Sequence, residues 1–373
     1  MSDSLWVPMV LLPNIELETS IECTPAAFLP PFDPRIVEIK ERYQKFNDFL
    51  SRFSDQFGGE KNPTILAISP NTPQTFTTLD AIASLRDMLT ASVIPFNRAM
   101  MIKYPNVPRT IFSRNFDFYP WMISKDYKYI INITPAIMHL HDVKDFRGQP
   151  ASEIPINKLS HSEVDKVLFA SLHTHWRYHF GSSRQQWRNR ALMRSLNMAH
   201  HASQLPALND TRYLDYGRII ALWVSAFEIL VHPGGTDRAN KFKVWALLNK
   251  VQWASKALSA RRYKCRKNPT KFTRETQACW LYDQLYAARN DFLHGNPVTS
   301  RRMILAGSKR NMEDFAAPLY RLALTSFLNL RLDRELPDMQ DSEAYAKAIA
   351  DSFDFYRYQR AAEGAVLKSR TKD

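Results

Sequence analysis

From about residue 160 onward, apolar positions recur every third or fourth residue over long stretches, the spacing of one buried face on a helix. On that pattern helices are predicted near 162–180, 186–203, 213–231, 240–258, 274–294, 313–334 and 342–366. Residues 1–155 have another texture, with more proline and shorter runs. There "PTILAIS" and "YKYIINITPAIM" are rich in β-branched and aromatic residues and predict strands. "TTLDAIASLRDMLTASVIPF" predicts a helix in the same region, with Thr77 or Thr78 as its cap. The expected fold class is therefore α+β overall. A mixed α/β domain over 1–155 is followed by a connector and first helix over 156–184, then by an all-α bundle over 185–373 with a C-terminal helical extension. The segment "FRGQPASEIPINKLSHSEVD" (146–165) supplies the connection.

Two of the predicted helices carry unusual polar positions. In "TRETQACWLYDQLYAARNDFLHG", Leu281, Leu285, Ala288 and Phe292 form one apolar stripe that should face the core. At about 100° per residue, Asp283, Ala287, Asn290 and His294 fall on the other side, with Arg289 at the edge of the stripe. Gly295 and then Pro297 end the helix. His294 therefore lies in the last turn, where the carbonyl ends favour a cation, and an imidazole there suits general acid–base chemistry. Arg289 supplies a forked, permanent cation for a phosphate. The other helix, "YLDYGRIIALWVSAFEILVH", is apolar nearly all round, so burial in the bundle is expected. Asp215, Arg218, Ser225, Glu228 and His232 make a thin polar seam through it. A buried carboxylate needs a partner. For Glu228 the candidates are Arg289, Arg218 and Lys241.

Composition adds one asymmetry. Fifty Lys and Arg against thirty-seven Asp and Glu give a net charge of +13, a field that attracts polyanions. Eight of those cations lie between Lys256 and Arg274 with no acid among them. Arg261, Arg262, Lys264, Arg266, Lys267, Lys271 and Arg274, with Tyr263 and Phe272 interspersed, have the make-up of a loop that contacts phosphates and stacks bases. The three cysteines (Cys23, Cys265 and Cys279) form neither a disulfide framework nor a zinc pattern.

Other chemistries find little support. His173, His175 and His179 in "LHTHWRYHF", and His200 and His201, have no HExxH pattern or carboxylate at ligand spacing, so no metal and no cofactor is expected. GxxxxGK[ST], GxGxxG and GxSxG are absent. The longest apolar run, "IIALWVSAFEILV", is too short for a membrane span and contains Glu228. The start has no basic segment before Glu16, so no secretory signal is expected. These features predict a soluble, cytoplasmic protein without a membrane partner.

"YAARNDFLHG" resembles the Arg-Asn-x-x-x-His signature of the HEPN superfamily (higher eukaryotes and prokaryotes nucleotide-binding). "IIALWVSAFEILV" is similar to the Ala-x-Glu-x-Leu helix of its ApeA-like branch, and "NRALMRSLNMAHHASQLPAL" fits the helix before it. The resemblance covers residues 185–335; residues 1–160 resemble no family. It implies a bundle of four or five helices that forms a homodimer with the motif helices facing each other. It also implies metal-independent endoribonuclease activity, leaving 2′,3′-cyclic phosphate and 5′-hydroxyl ends. His294 would be the acid–base residue, Arg289 the charge stabiliser and Asn290 an orienting group. Glu228 would hold Arg289, with Asp283 as a further supporting residue. Many members belong to toxin or phage-defence systems, so the resemblance gives residues 1–155 a sensing or restraining role toward a regulatory partner. The alternative is a non-catalytic HEPN-like module that binds RNA or protein, or dimerises.

Overall fold

The computed structural model describes residues 5–54, 58–119, 121–124, 127, 129–132, 140–142, 157–204, 213–268, 270–296, 298–305, 308–331, 339 and 341–370. It has α+β architecture and divides into two compact units, Met1–Ile82 with Ser113–Glu163, and Ala83–Phe112 with Val164–Asp373.

The first unit contains β1 (Val7–Leu12), β2 (Ile15–Leu17), β3 (Ile21–Cys23), β4 (Ala26–Leu29), α1 (Pro34–Arg42), α2 (Gln44–Leu50) and β5 (Thr64–Ile68). After helix α3 (Leu79–Lys103), which from Ala83 on belongs to the second unit, the first unit resumes. It adds β6 (Trp121–Ile123), β7 (Tyr129–Asn132), β8 (Leu140–Asp142) and β9 (Asn157–Leu159). An antiparallel sheet runs β1-β5-β4-β3, while β2 pairs in parallel with β9 and β6-β7-β8 form a third sheet. β5 is the run "TILAI", buried at every position, as a central strand covered on both faces must be. Asp33 caps α1 by accepting from the Arg35 N–H at 3.0 Å, with Pro34 at the first helical position. Ile36 and Ile39 of α1, with Phe46, Phe49 and Leu50 of α2, then cover the sheet residues Leu29, Ile65 and Ala67. The strand expected in "YKYIINITPAIM" is β7; residues 133–139 and 143–156, including most of the expected connector, lie outside the described residues.

The second unit holds α3 from Ala83, α4 (Lys166–Gly181), α5 (Trp187–Ala202), α6 (Tyr213–Leu230), α7 (Lys241–Leu248), α8 (Lys256–Ala260), β10 (Tyr263–Arg266), β11 (Phe272–Glu275), α9 (Gln277–Leu293), α10 (Ala316–Phe327) and α11 (Ser342–Lys368). Three expectations change here. The helix expected within an N-terminal domain ending at 155 runs on to Lys103 and packs in the second unit. Its residues Leu85, Met88, Leu89, Val93 and Ile94 are buried, and so are its polar Asp87, Thr90, Ser92 and Asn97, so most of its circumference lies in a core.

The single helix expected over 240–258 is two. Between them the N–H groups of Ala254 and Ser255 donate to the buried Glu363 carboxylate, both at 2.8 Å, instead of to helix carbonyls. The basic stretch is no loop. It folds as an antiparallel ribbon, β10 against β11, with Lys264 opposite Arg274 and Arg266 opposite Phe272.

α5, α6 and α10 meet at Ser195. Its hydroxyl donates to the Ala226 carbonyl (2.7 Å) and lies 2.6 Å from the Tyr320 hydroxyl. Arg321, fully buried, donates to Asp165 (2.7 Å) and Gln359 (2.8 Å), tying α10 to the start of α4 and to α11. Among the described residues no helix is long and apolar enough to cross a membrane.

Candidate active site

α6 and α9 run antiparallel, as two contacts show. The Phe227 and Tyr282 rings lie 5.2 Å apart, and Gly217 lies under the ring of Phe292, where an added Cβ would come within 2.4 Å of two ring carbons. Gly217 is what lets the last turn of α9 approach α6 so closely. Thr276 caps the start of α9. At its far end the Asn296 N–H donates to the Asp291 carbonyl (3.1 Å) and the Gly295 N–H to that of Phe292 (3.4 Å). With Gly295 at φ +67°, this is the paired bonding that stops a helix at a left-handed glycine. Asp291 also accepts from Arg302 Nε at 2.6 Å, which fixes the end from outside.

This frame brings part of the predicted set together. Glu228 on α6 faces Arg289 on α9, with a carboxylate oxygen 3.7 Å from the guanidinium. Of the alternative cations, Lys241 pairs instead with Asp283 at 3.3 Å, and Arg218 is exposed. Burial pushes the Glu228 carboxyl above its ordinary range, and the Arg289 charge pulls it back. The same desolvation raises the fully buried Tyr282 phenol well above its usual value, with Glu228 adding to the effect.

Arg289 donates to Asn290 Oδ1 at 3.0 Å and stands 5.8 Å from the centre of the Tyr286 ring. Its Nε is buried and makes no hydrogen bond among the described residues. A guanidinium carries five donors. With one hydrogen bond made and a carboxylate just beyond bonding reach, Arg289 is oriented and still has donors for an anion. His294 is the residue closing α9, exposed to solvent one helical turn after Asn290.

Asp283 is the main departure. It was expected on the side of Asn290 and His294; instead it is buried under the ribbon, accepting from the Arg266 N–H at 3.0 Å and pairing with Lys241. Lys241 also donates to the Arg266 carbonyl. Asp283 therefore anchors the ribbon to α9 and does not support the Arg289 group. α6 also departs from burial all round, since Leu214 and Arg218 are exposed and Ala221, Leu222, Ser225 and Ile229 only half covered.

Every cation of the predicted RNA-contacting set (Arg261, Arg262, Lys264, Arg266, Lys267, Lys271 and Arg274) is exposed. Strand alternation turns Cys265 inward, fully buried, and leaves Lys264, Arg266, Phe272 and Arg274 outward. Lys264 Nζ lies 4.1 Å from the centre of the Phe272 ring. From the ribbon's anchor at Asp283 to His294 is eleven residues along α9, about 16 Å. The thiols of Cys265 and Cys279 are both pushed up to about 12 by burial, which makes them poor nucleophiles.

The histidines considered as ligands serve other contacts. His175 Nδ1 lies 2.8 Å from Asn189 Oδ1, and His200 lies within 3.4 Å of Asp87 and 3.2 Å of the Thr90 hydroxyl. Among the described residues no group of three or more His, Cys, Asp or Glu is placed to hold a metal ion. Sequence reasoning missed Gly217, Asp291 and Arg302, whose roles depend on helix register and on a loop contact that no local pattern encodes. Comparison with protein-family models, with curated proteins and with solved structures found no match.

Proposed function

We propose that the chain is a metal-independent endoribonuclease of HEPN type, acting as a homodimer in a toxin or phage-defence setting. His294 removes the proton of a ribose 2′-hydroxyl, and the freed oxygen attacks the adjacent phosphorus. The 5′-oxygen leaves with a proton, delivered by the His294 of the second copy in a shared cleft. Arg289 stabilises the crowded, doubly charged phosphorane. Asn290 and Glu228 are positioning residues that fix the plane of the guanidinium.

One observation carries this reading: Arg289 is oriented by the Asn290 amide and the nearby Glu228 carboxylate, yet its side chain stays 24% exposed. An oriented cation with spare donors, followed on the same helix by an exposed imidazole, suits phosphoryl chemistry better than a structural ion pair. The part-covered face of α6, with Leu214 at 54% and Leu293 of α9 at 60% exposure, supports an association through these helices.

The test is the chemistry of the ends. Incubated with RNA in EDTA, the protein is expected to leave 2′,3′-cyclic phosphate and 5′-hydroxyl termini; 3′-hydroxyl and 5′-phosphate termini would refute attack by the 2′-oxygen. The exposed cations of the ribbon favour a second reading, an RNA-binding module without cleavage. In that case the chain binds RNA with strong salt dependence and leaves it intact.

A further inference from the structure

α3 and α11 are joined at two points within the second unit. At one, Phe96 and Tyr358 meet edge to face at 4.7 Å and Arg357 stands 5.2 Å from the centre of the Phe96 ring. At the other, Lys368 Nζ reaches the Ile102 carbonyl at 3.5 Å. Between these points the facing positions are Ala99, Ala361, Gly364 and Ala365, side chains too short to fill the space, with Phe96 and Met100 as walls. The result is an open groove of about 530 Å³, within the range of small-molecule sites. A Cβ built on Gly364 would meet nothing within 4 Å, so the void continues to the backbone of α11.

The rim decides what such a groove accepts. Lys103, Arg357, Arg360 and Lys368 surround it; among the described residues no carboxylate or side-chain amide lines it, and the Tyr356 hydroxyl is the one side-chain oxygen. Among the described residues none of the four cations is paired with a carboxylate. A sugar or a nucleobase would bring donors that this wall cannot accept, and they would lose their bonds to water. An apolar chain loses nothing there, and an acid at its end meets cations whose stems cover apolar surface while their heads stay in water. The rise along α11 from Tyr358 to Lys368, ten positions on, makes the groove about 15 Å long, which matches a medium-length alkyl chain.

We propose that the α3–α11 groove binds a single-chain aliphatic carboxylic acid, the chain lying over Ala361, Gly364 and Ala365 and the carboxylate at the cationic rim. The proposal is independent of the ribonuclease reading. The test uses the full chain and dodecanoate below its micelle concentration, followed by calorimetry. One saturable site is expected, with dodecanol at least tenfold weaker. Gly364→Leu should weaken dodecanoate binding at least tenfold by occupying the groove. It raises helix propensity and has room, so circular dichroism should be unchanged. The double variant Arg360→Gln/Lys368→Gln should weaken dodecanoate tenfold and leave dodecanol unaltered.

Absence of saturable binding would overturn the proposal, as would equal affinity for acid and alcohol or wild-type affinity in Gly364→Leu. Binding to anionic lipid vesicles or to an acidic amphipathic peptide, with none to the monomeric acid, would overturn it as well, since the groove would then serve a surface or a helix.

Discussion

Replacing Gly217 by Ala is a small change whose sign separates local from tertiary reasoning. By helix propensity alone it should stabilise α6 by up to about 1 kcal/mol. The structure points the other way. The new Cβ would stand 2.4 Å from Cδ1 and Cε1 of Phe292 and 2.6 Å from Cγ, where ordinary carbon contacts are about 3.5–4.0 Å. The ring, or the turn that carries it, must retreat by roughly 1 Å, and overpacking of this kind costs about 1–3 kcal/mol. A net loss of about 1 kcal/mol is expected, read as a lower urea midpoint at unchanged slope. Phe292 lies between Arg289 and His294, so the same shift misaligns both. A displacement near 1 Å can lower cleavage about a hundredfold. In a Phe292→Ala background the clash is gone, and Gly217→Ala should then stabilise. The coupling between the two sites should exceed about 1 kcal/mol. A Gly217→Ala protein more stable than wild type, with activity intact, would refute the close approach of α6 and α9.

Other outcomes follow from the same geometry. Glu228→Gln should leave the melting temperature unchanged or slightly higher, because burial already holds the carboxyl up, while RNA cleavage falls at least tenfold; unfolding of the variant would make Glu228 structural. Glu313 is pushed up to about 8 by burial, with Asp314 adding to the rise and Arg98 opposing it, so ionisation in the unfolded chain costs the fold increasingly from pH 4.5 to 8. Glu313→Gln should therefore stabilise by on the order of 3 kcal/mol at pH 7 and by almost nothing at pH 4, and a gain that does not depend on pH would contradict this. Neutralising Lys264 and Arg266 together should weaken RNA binding evenly across sequences and flatten the slope of log affinity against log salt by about 0.7 per lost phosphate contact. An unchanged slope would remove the ribbon from the interface.

What could be read from the sequence was what repeats. Helices α4, α5, α6, α9, α10 and α11 follow from periodic apolar positions, and the stop after His294 from Gly295. The Glu228–Arg289 pairing was open among three cations, and only the register of α6 on α9 resolves it. Asp283 was misplaced because a helical wheel knows nothing of a ribbon that docks on it. The alternation of Tyr263 and Cys265 with Lys264 and Arg266 was present in the sequence, hidden by the weight of its charge. The break after Leu248 depends on Glu363, more than a hundred residues later, taking the N–H groups of Ala254 and Ser255. The fate of α3 is similar: its sequence predicts a helix but not the unit that buries it.

The central claim is that Arg289 and His294 form one reaction site. Wild type, Arg289→Ala and His294→Ala, purified alike, should be compared for RNA cleavage in EDTA. The account predicts that wild type cuts and leaves cyclic-phosphate ends, while both variants stay folded and lose at least a hundredfold in rate. Equal cutting by all three would place the activity elsewhere and contradict the assignment of this site.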